Sequence, residues 1–313
     1  MRPDGKKIKN PDPMYAVAAH LMTKRSDAHN EITIDIPVEP MEKYIHKLRN
    51  NGQKMSHMAL ILAAYIRTVS EFHELNRFVV NKTIYARTEF SVGMVVLKAG
   101  QRKDETMGKM YFEMDNTIFD VQNKIEEYVS RSRQPDDSNG MDKAVKILNF
   151  PGVLRFGVNM MRWLDKHGWM PKLIVDASPF HNSLVITNLA SIRTNHIYHH
   201  CYDFGTVSVF LAMGNMREVP KRVRGEIVFE KCLPMGIVMD ERICTGSYFA
   251  LAFQRFKEYC ANPELLEQPP KEVIQDYPFK ERKAKKNKKI EEDASINDNE
   301  NNVKEETKEE VTV

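Results

Sequence analysis

Alternation of apolar and polar side chains marks the first strand of the chain. Between residues 31 and 38, Ile32, Ile34 and Ile36 alternate with Glu31, Thr33 and Asp35, a period of two that predicts a strand with one buried face. Ahead of it, Ala16, Val17, Ala19, Leu21 and Met22 stand among polar positions over residues 15–25, as in a short amphipathic helix. After it, Pro40 opens a helix that carries Met41, Tyr44, Ile45 and Leu48 on one stripe and closes at Asn51-Gly52. The next helix, 58–72, takes Ser56 as its N-cap and is apolar nearly all round, so it should be buried.

Strand patterns follow at 78–85 and 90–97, then a polar turn at 100–106 and an extended piece around 110–114. A long helix at 116–132, striped by Ile118, Val121, Ile125 and Val129, ends in the turn formers of 135–140. Residues 144–164 are crowded with large apolar side chains and are divided by Pro151-Gly152. They read as a helical pair packed on the sheet, or as a lid or pocket wall that extends to residue 169. Short strands are predicted at 184–188, 197–202 and 207–213, a further pair at 226–231 and 233–239, and a last helix at 247–260. Early helices and late strands predict an α/β domain over residues 14–277: a two-layer mixed sheet with packed helices.

With 313 residues and 42% hydrophobic content the chain can bury a large core. The net charge is only +3, and Lys and Arg are scattered, so nucleic acid is not an implied partner. From Lys280 the sequence becomes a basic block followed by an acidic, Asn-rich stretch, and residues 278–313 read as a disordered charged tail. Four widely spaced cysteines without a C-x-x-C pair suit a reducing compartment. With no leader-like apolar region near Met1 and no run of ~18 apolar residues, the expectation is a cytoplasmic protein with no membrane partner.

The candidate chemistry gathers at Met239-Asp240-Glu241-Arg242-Ile243-Cys244-Thr245-Gly246. This segment resembles the D-H-R-x-x-D-G motif in the acyltransferase domain of 2-oxo acid dehydrogenase complexes, and the H-H-x-x-x-D-G of chloramphenicol acetyltransferase. The motif is degenerate: Glu241 stands at the histidine and Thr245 at the aspartate. Other segments match the family in order. Glu71-Phe72-His73-Glu74-Leu75-Asn76 resembles F-P-E-L-N, and Phe90-Ser91-Val92-Gly93-Met94-Val95-Val96 resembles N-I-G-I-A-V. Val185-Ile186-Thr187-Asn188-Leu189-Ala190 resembles I-S-N-L-G, and residues 209–214 resemble I-L-A-V-G. Order and spacing, more than any single motif, carry the likeness across roughly residues 14–267. The lipoyl and subunit-binding modules that usually precede this domain have no counterpart upstream, so a free-standing catalytic-domain homologue is expected.

The resemblance implies a chloramphenicol acetyltransferase-like fold and a homotrimer with active sites in channels between subunits. It also implies acyl transfer in which a histidine deprotonates a thiol of coenzyme A or dihydrolipoamide and a hydroxyl steadies the oxyanion. Thr187, at the Ser/Thr position of I-S-N-L-G, could supply that hydroxyl or merely satisfy a neighbouring strand. Against the same thiol an unperturbed Glu is a weaker base than His by ~2 in pKa, which makes transfer ~3 kcal/mol more uphill and roughly a hundredfold slower. Burial of Glu241 would recover much of this, whereas an ion pair with Arg242 would leave the site dead. Thr245 offers no carboxylate, and Gly246 fits a tight turn.

In the family the strand corresponding to 197–202 runs toward the substrate channel, which makes His199 or His200 a candidate replacement base. Strand alternation would put His196 and His200 on one face and His199 on the other. His181 is a weaker candidate of the same kind, Cys244 reads as a buried filler, and no metal site is indicated. Two functions are therefore carried forward. One is a transferase that moves an acyl group from acyl-CoA to a small acceptor, with no covalently bound cofactor and coenzyme A or acyl-CoA as its substrate. The other is a catalytically inactive homotrimeric binding or scaffold protein that keeps the fold.

Overall fold

The computed structural model describes residues 2–97, 105–132 and 153–279. Met1–Phe279 forms one unit and Lys280–Val313 another, and all the described residues belong to the first. The predicted tail from Lys280 onward, the turn at 135–140 and the apolar stretch 144–152 lie outside the described residues, whereas Phe279, assigned to that tail, packs against the core.

In chain order the elements are β1 (Gly5–Lys7), α1 (Pro13–Leu21), β2 (His29–Pro37), α2 (Val38–Asn50), α3 (His57–Glu71), β3 (Arg77–Val80), β4 (Thr83–Arg87), β5 (Phe90–Leu97) and β6 (Glu105–Phe112). There follow α4 (Ile118–Ser132), α5 (Val153–Lys166), α6 (Lys172–Ala177), β7 (Leu184–Asn188), β8 (Val209–Met213), β9 (Arg217–Val223), β10 (Glu226–Asp240) and α7 (Gly246–Ala261). The main sheet runs β2-β10-β8-β7-β5-β6, with β9 pairing the first half of β10. The β5–β7 and β7–β8 pairs are parallel and the rest antiparallel, so the sheet is mixed, as the pattern predicts.

The alternation in β2 lands on this sheet as expected: Ile36 is buried, and Ile32 and Ile34 pack against the core. α3 is buried from Met58 to Ser70 and packs against α4 and α7. Each of its fully buried Leu and Ile side chains contributes ~1.5–3 kcal/mol of transfer free energy. Ser56 caps it, its Oγ accepting from the Ala59 N–H at 3.1 Å, and Gln122 of α4 accepts in turn from the Ser56 N–H and hydroxyl.

Four expectations are corrected. Residues 78–85 are a hairpin, β3–β4, turning at Asn81 and Lys82 with φ of 49° and 61°. β1 adds to β4 in a second, three-stranded sheet, where a Cβ on Gly5 would stand 2.7 Å from the Phe78 ring, so only glycine fits. The strand predicted at 197–202 is absent. That segment instead lies irregularly against the main sheet, and a Cβ on Gly214 or Gly236 would come within 2.3 Å of the His196 N or the Ile197 O. The predicted pair 226–231 and 233–239 is the single strand β10.

α5 does not pack on the sheet through its apolar side chains. Leu154, Phe156, Met160 and Trp163 are exposed. The helix is held instead by Asp165, which is buried, accepts from Arg2 Nη2 at 2.7 Å and lies 3.2 Å from His181 Nε2.

Candidate active site

The motif residues connect the end of β10 to the start of α7. Asp240 is fully buried and accepts from Arg242 Nε and Nη2, both at 2.7 Å, and from Arg25 Nε at 3.3 Å. Arg25 also donates to the Val79 carbonyl, and Arg242 to the Met22 carbonyl at 2.9 Å. Asp203 holds the Arg25 end, accepting from the backbone N–H groups of Arg25 and Ser26. Taking three charges out of water is tolerable only because nearly every charged hydrogen-bonding direction is answered.

Glu241 stands outside this cluster. Its Oε2 accepts from Asn30 Nδ2 at 2.8 Å, its backbone N–H donates to the Ala28 carbonyl, and the residue is half-buried. The ion pair with Arg242 that would inactivate it does not form, because the guanidinium is already bound in two-pronged fashion to Asp240. Thr245 has become the N-cap of α7, its Oγ1 accepting from the Tyr248 N–H at 3.2 Å. Gly246 opens that helix, and a Cβ there would meet open space, so the turn does not require glycine. Cys244 is fully buried in the core, where burial pushes its thiol pKa up, as suits a filler.

Without the predicted strand, the histidines do not alternate between two faces. His196 Nε2 lies 2.9 Å from Thr33 Oγ1 on β2. The His199 ring stacks on Phe210 of β8, with centroids 4.2 Å apart and planes 7° from parallel, while His200 is exposed beside it. Burial holds the His199 pKa below the ordinary value, so it is neutral near pH 7. His181 is buried between Asp165 and Ser178, its Nδ1 2.7 Å from Ser178 Oγ. Among the described residues no three His, Cys, Asp or Glu side chains gather to hold a metal ion.

One chain does not bring Thr187 and Glu241 together. Thr187 pairs with Ala212, and Ala212 with Gly236, five positions short of Glu241. At ~3.3 Å per residue and ~4.8 Å per strand, the two are roughly 19 Å apart.

The structure brings forward one histidine that sequence reasoning missed. His29 is the register partner of Asp240, next to the Asn30 that holds Glu241. Its Nε2 is buried without a hydrogen-bond partner among the described residues. Burial lowers its pKa, with the Asp240 carboxylate opposing, so a neutral imidazole faces the motif. The only sequence signal was its place at the head of the alternating strand.

Residues 185–267 match the family of 2-oxoacid dehydrogenase acyltransferases in its catalytic domain. Among solved structures, the cubic core of the pyruvate dehydrogenase multienzyme complex is similar with a TM-score of 0.55 at 11% identity, over 83% of this chain and 94% of that one. A probable dihydrolipoamide acetyltransferase from Listeria monocytogenes 4b F2365 gives 0.52 at 12% identity, over 82% and 94%. The truncated catalytic core of the 2-oxoacid dehydrogenase multienzyme complex from Thermoplasma acidophilum gives 0.52 at 12%, over 82% and 99%. No curated protein matches the sequence. At such identities the structural likeness concerns the fold, which is the one the ordered sequence segments imply.

Proposed function

We propose that this chain, whose residues 185–267 match the 2-oxoacid dehydrogenase acyltransferase family, moves an acyl group from acyl-CoA to a small acceptor, with Glu241 as the base. The observation that carries the reading is that Arg242 is committed to Asp240, so that among the described residues the Glu241 carboxylate has the neutral Asn30 amide as its side-chain partner and no cation bound to it. Glu241 removes the proton from the acceptor's nucleophilic atom as that atom attacks the thioester carbonyl. When the C–S bond breaks, the departing thiolate takes the proton back from Glu241. Thr187 donates its hydroxyl to the oxyanion in between. Neither step uses a covalently bound cofactor.

The separation of Thr187 and Glu241 within one chain means that Thr187 must come from a neighbouring copy. We therefore place the site between subunits of a homotrimer. The β9–β10 hairpin offers apolar side chains for such a contact, with Ile227 and Phe229 about two-thirds exposed. All four cysteines are free and buried, in keeping with a reducing, cytoplasmic setting.

Calorimetric titration of the whole chain with acetyl-CoA and coenzyme A tests this reading. Saturable heat near one ligand per subunit, followed by turnover with a screened acceptor that Glu241→Gln abolishes, is the expected result. A folded trimer that gives no heat up to millimolar ligand would make the fold a binding or scaffold module instead.

A further inference from the structure

We propose that the cavity between α5 and the Arg25–Asp240 cluster is a binding site for a phosphate-bearing ligand. The cavity has a volume of about 380 Å³. Six cationic side chains and two carboxylates line it. Arg25 and Arg242 are already occupied by Asp240. The other four, Lys24, Lys82, Arg162 and Lys166, make no ion pair with any described residue.

Both carboxylates are also engaged. Asp165 is bound to Arg2 and lies against His181, and Asp203 accepts from the backbone of Arg25 and Ser26. Asp203 keeps its charge, since its partners are neutral N–H groups, and offsets Lys24 in part, so the cavity carries a positive excess of six cations over two carboxylates. The four cations outside the Asp240 cluster converge from three separate places: Lys24 from the loop after α1, Lys82 from the β3–β4 turn, and Arg162 and Lys166 from α5. Lys82 is presented from a left-handed position, φ 61°, which a lysine rarely adopts.

The chemistry of the lining favours phosphate over a single carboxylate. Three ammonium groups and a guanidinium arranged around a space, not in one planar fork, match an anion of nearly two charges with three acceptor oxygens. Trp163 and Phe204 add an apolar wall against which a ring or chain attached to the phosphate can rest. The site uses neither Glu241 nor Thr187 and stands independently of the acyl-transfer reading.

Titration of the whole chain at low ionic strength with inorganic pyrophosphate and with adenosine 3′,5′-bisphosphate tests the proposal. Saturable binding near one per chain is expected, weakened about tenfold by Lys82→Ala and by Arg162→Ala, which remove one charge-assisted contact each. Since both side chains are at the surface, the thermal melt should not move. Absence of saturable heat with either probe, or an affinity unchanged in both variants, would overturn it.

Co-flotation with phosphatidylcholine vesicles containing phosphatidylserine identifies the source of the phosphate. Binding to the vesicles that pyrophosphate displaces assigns the cavity to a lipid headgroup, with the exposed Trp163 of α5 in its wall. Pyrophosphate binding without flotation assigns it to a free small molecule. Acetyl-CoA heat that persists in the two variants would keep the transferase reading while the cavity is judged separately.

Discussion

Arg242 reaches back two residues to Asp240 and closes a two-pronged hydrogen bond on it, Nε to Oδ1 and Nη2 to Oδ2, both at 2.7 Å. Asp240 is fully buried and also faces Arg25. An amide at this position would keep the shape but leave two buried guanidiniums without a counter-charge. Asp240→Asn should therefore cost about 3–5 kcal/mol, measured as a loss of stability in urea. A loss below ~1 kcal/mol would mean that water reaches the pair and screens it as on a surface.

Because that pair leaves Glu241 to Asn30, Glu241→Gln tests the base alone: the amide is nearly isosteric and can still accept from Asn30. Acyl transfer should fall by about a hundredfold or more, with the far-ultraviolet spectrum unchanged. Glu241→His should raise the rate, by up to roughly a hundredfold if base strength limits it. Equal rates in all three proteins would remove Glu241 from the chemistry. His29→Ala would then be the decisive variant, since its free Nε2 lies beside the same loop.

What was legible in the sequence was local. The alternation of Ile32, Ile34 and Ile36, the Ser56 cap and the unbroken apolar surface of α3 each depend on near neighbours, and each is found as read. The family segments kept their order, so the fold followed. The site was less legible because its decisive contacts are distant or depend on register: Asn30 with Glu241, His29 opposite Asp240, Arg25 with Asp240. The mixture of apolar and polar residues at 197–202 imitates a strand. Yet this segment crosses over the glycines 214 and 236 and is fixed by side chains such as His196 on Thr33. The apolar face of α5 suggested a packed helix, and nothing local announced that Asp165 would be its anchor.

That anchor gives a prediction. Asp165 accepts from Arg2 and from the Gly205 N–H and lies against His181, and Arg2 is itself paired with Asp4. Burial alone would raise the Asp165 pKa, but His181 and Arg2 hold it well below the carboxylate range. Asp165→Asn leaves Arg2 half-answered and loosens the tie between α5 and the first residues of the chain. Hydrogen exchange should accelerate in 153–166 and in 2–7 before it does in α3. Uniform acceleration throughout the unit would show that the network supports the whole core and not the helix.

Acid stability provides the last test. Asp276 accepts from Arg77 Nε at 2.8 Å and Nη2 at 2.7 Å and lies 3.4 Å from His73 Nε2. Burial would raise its pKa, but these donors lower it to about 2. The unfolded carboxyl titrates near ~3.9, so between these values the unfolded chain binds more protons and stability falls as pH falls. The contribution, on the order of 2 kcal/mol, is complete above about pH 4 and is lost as pH drops toward 2. Asp276→Asn should be less stable than the parent by that amount at pH 6, and the gap should shrink to about half by pH 3 and go on closing toward pH 2. Asp4 and Asp165 are held down in the same direction, so the variant keeps part of the acid slope. Urea midpoints compared at pH 6 and pH 3 decide the matter, and a gap that stays constant would mean that Asp276 acts through packing and not through its charge.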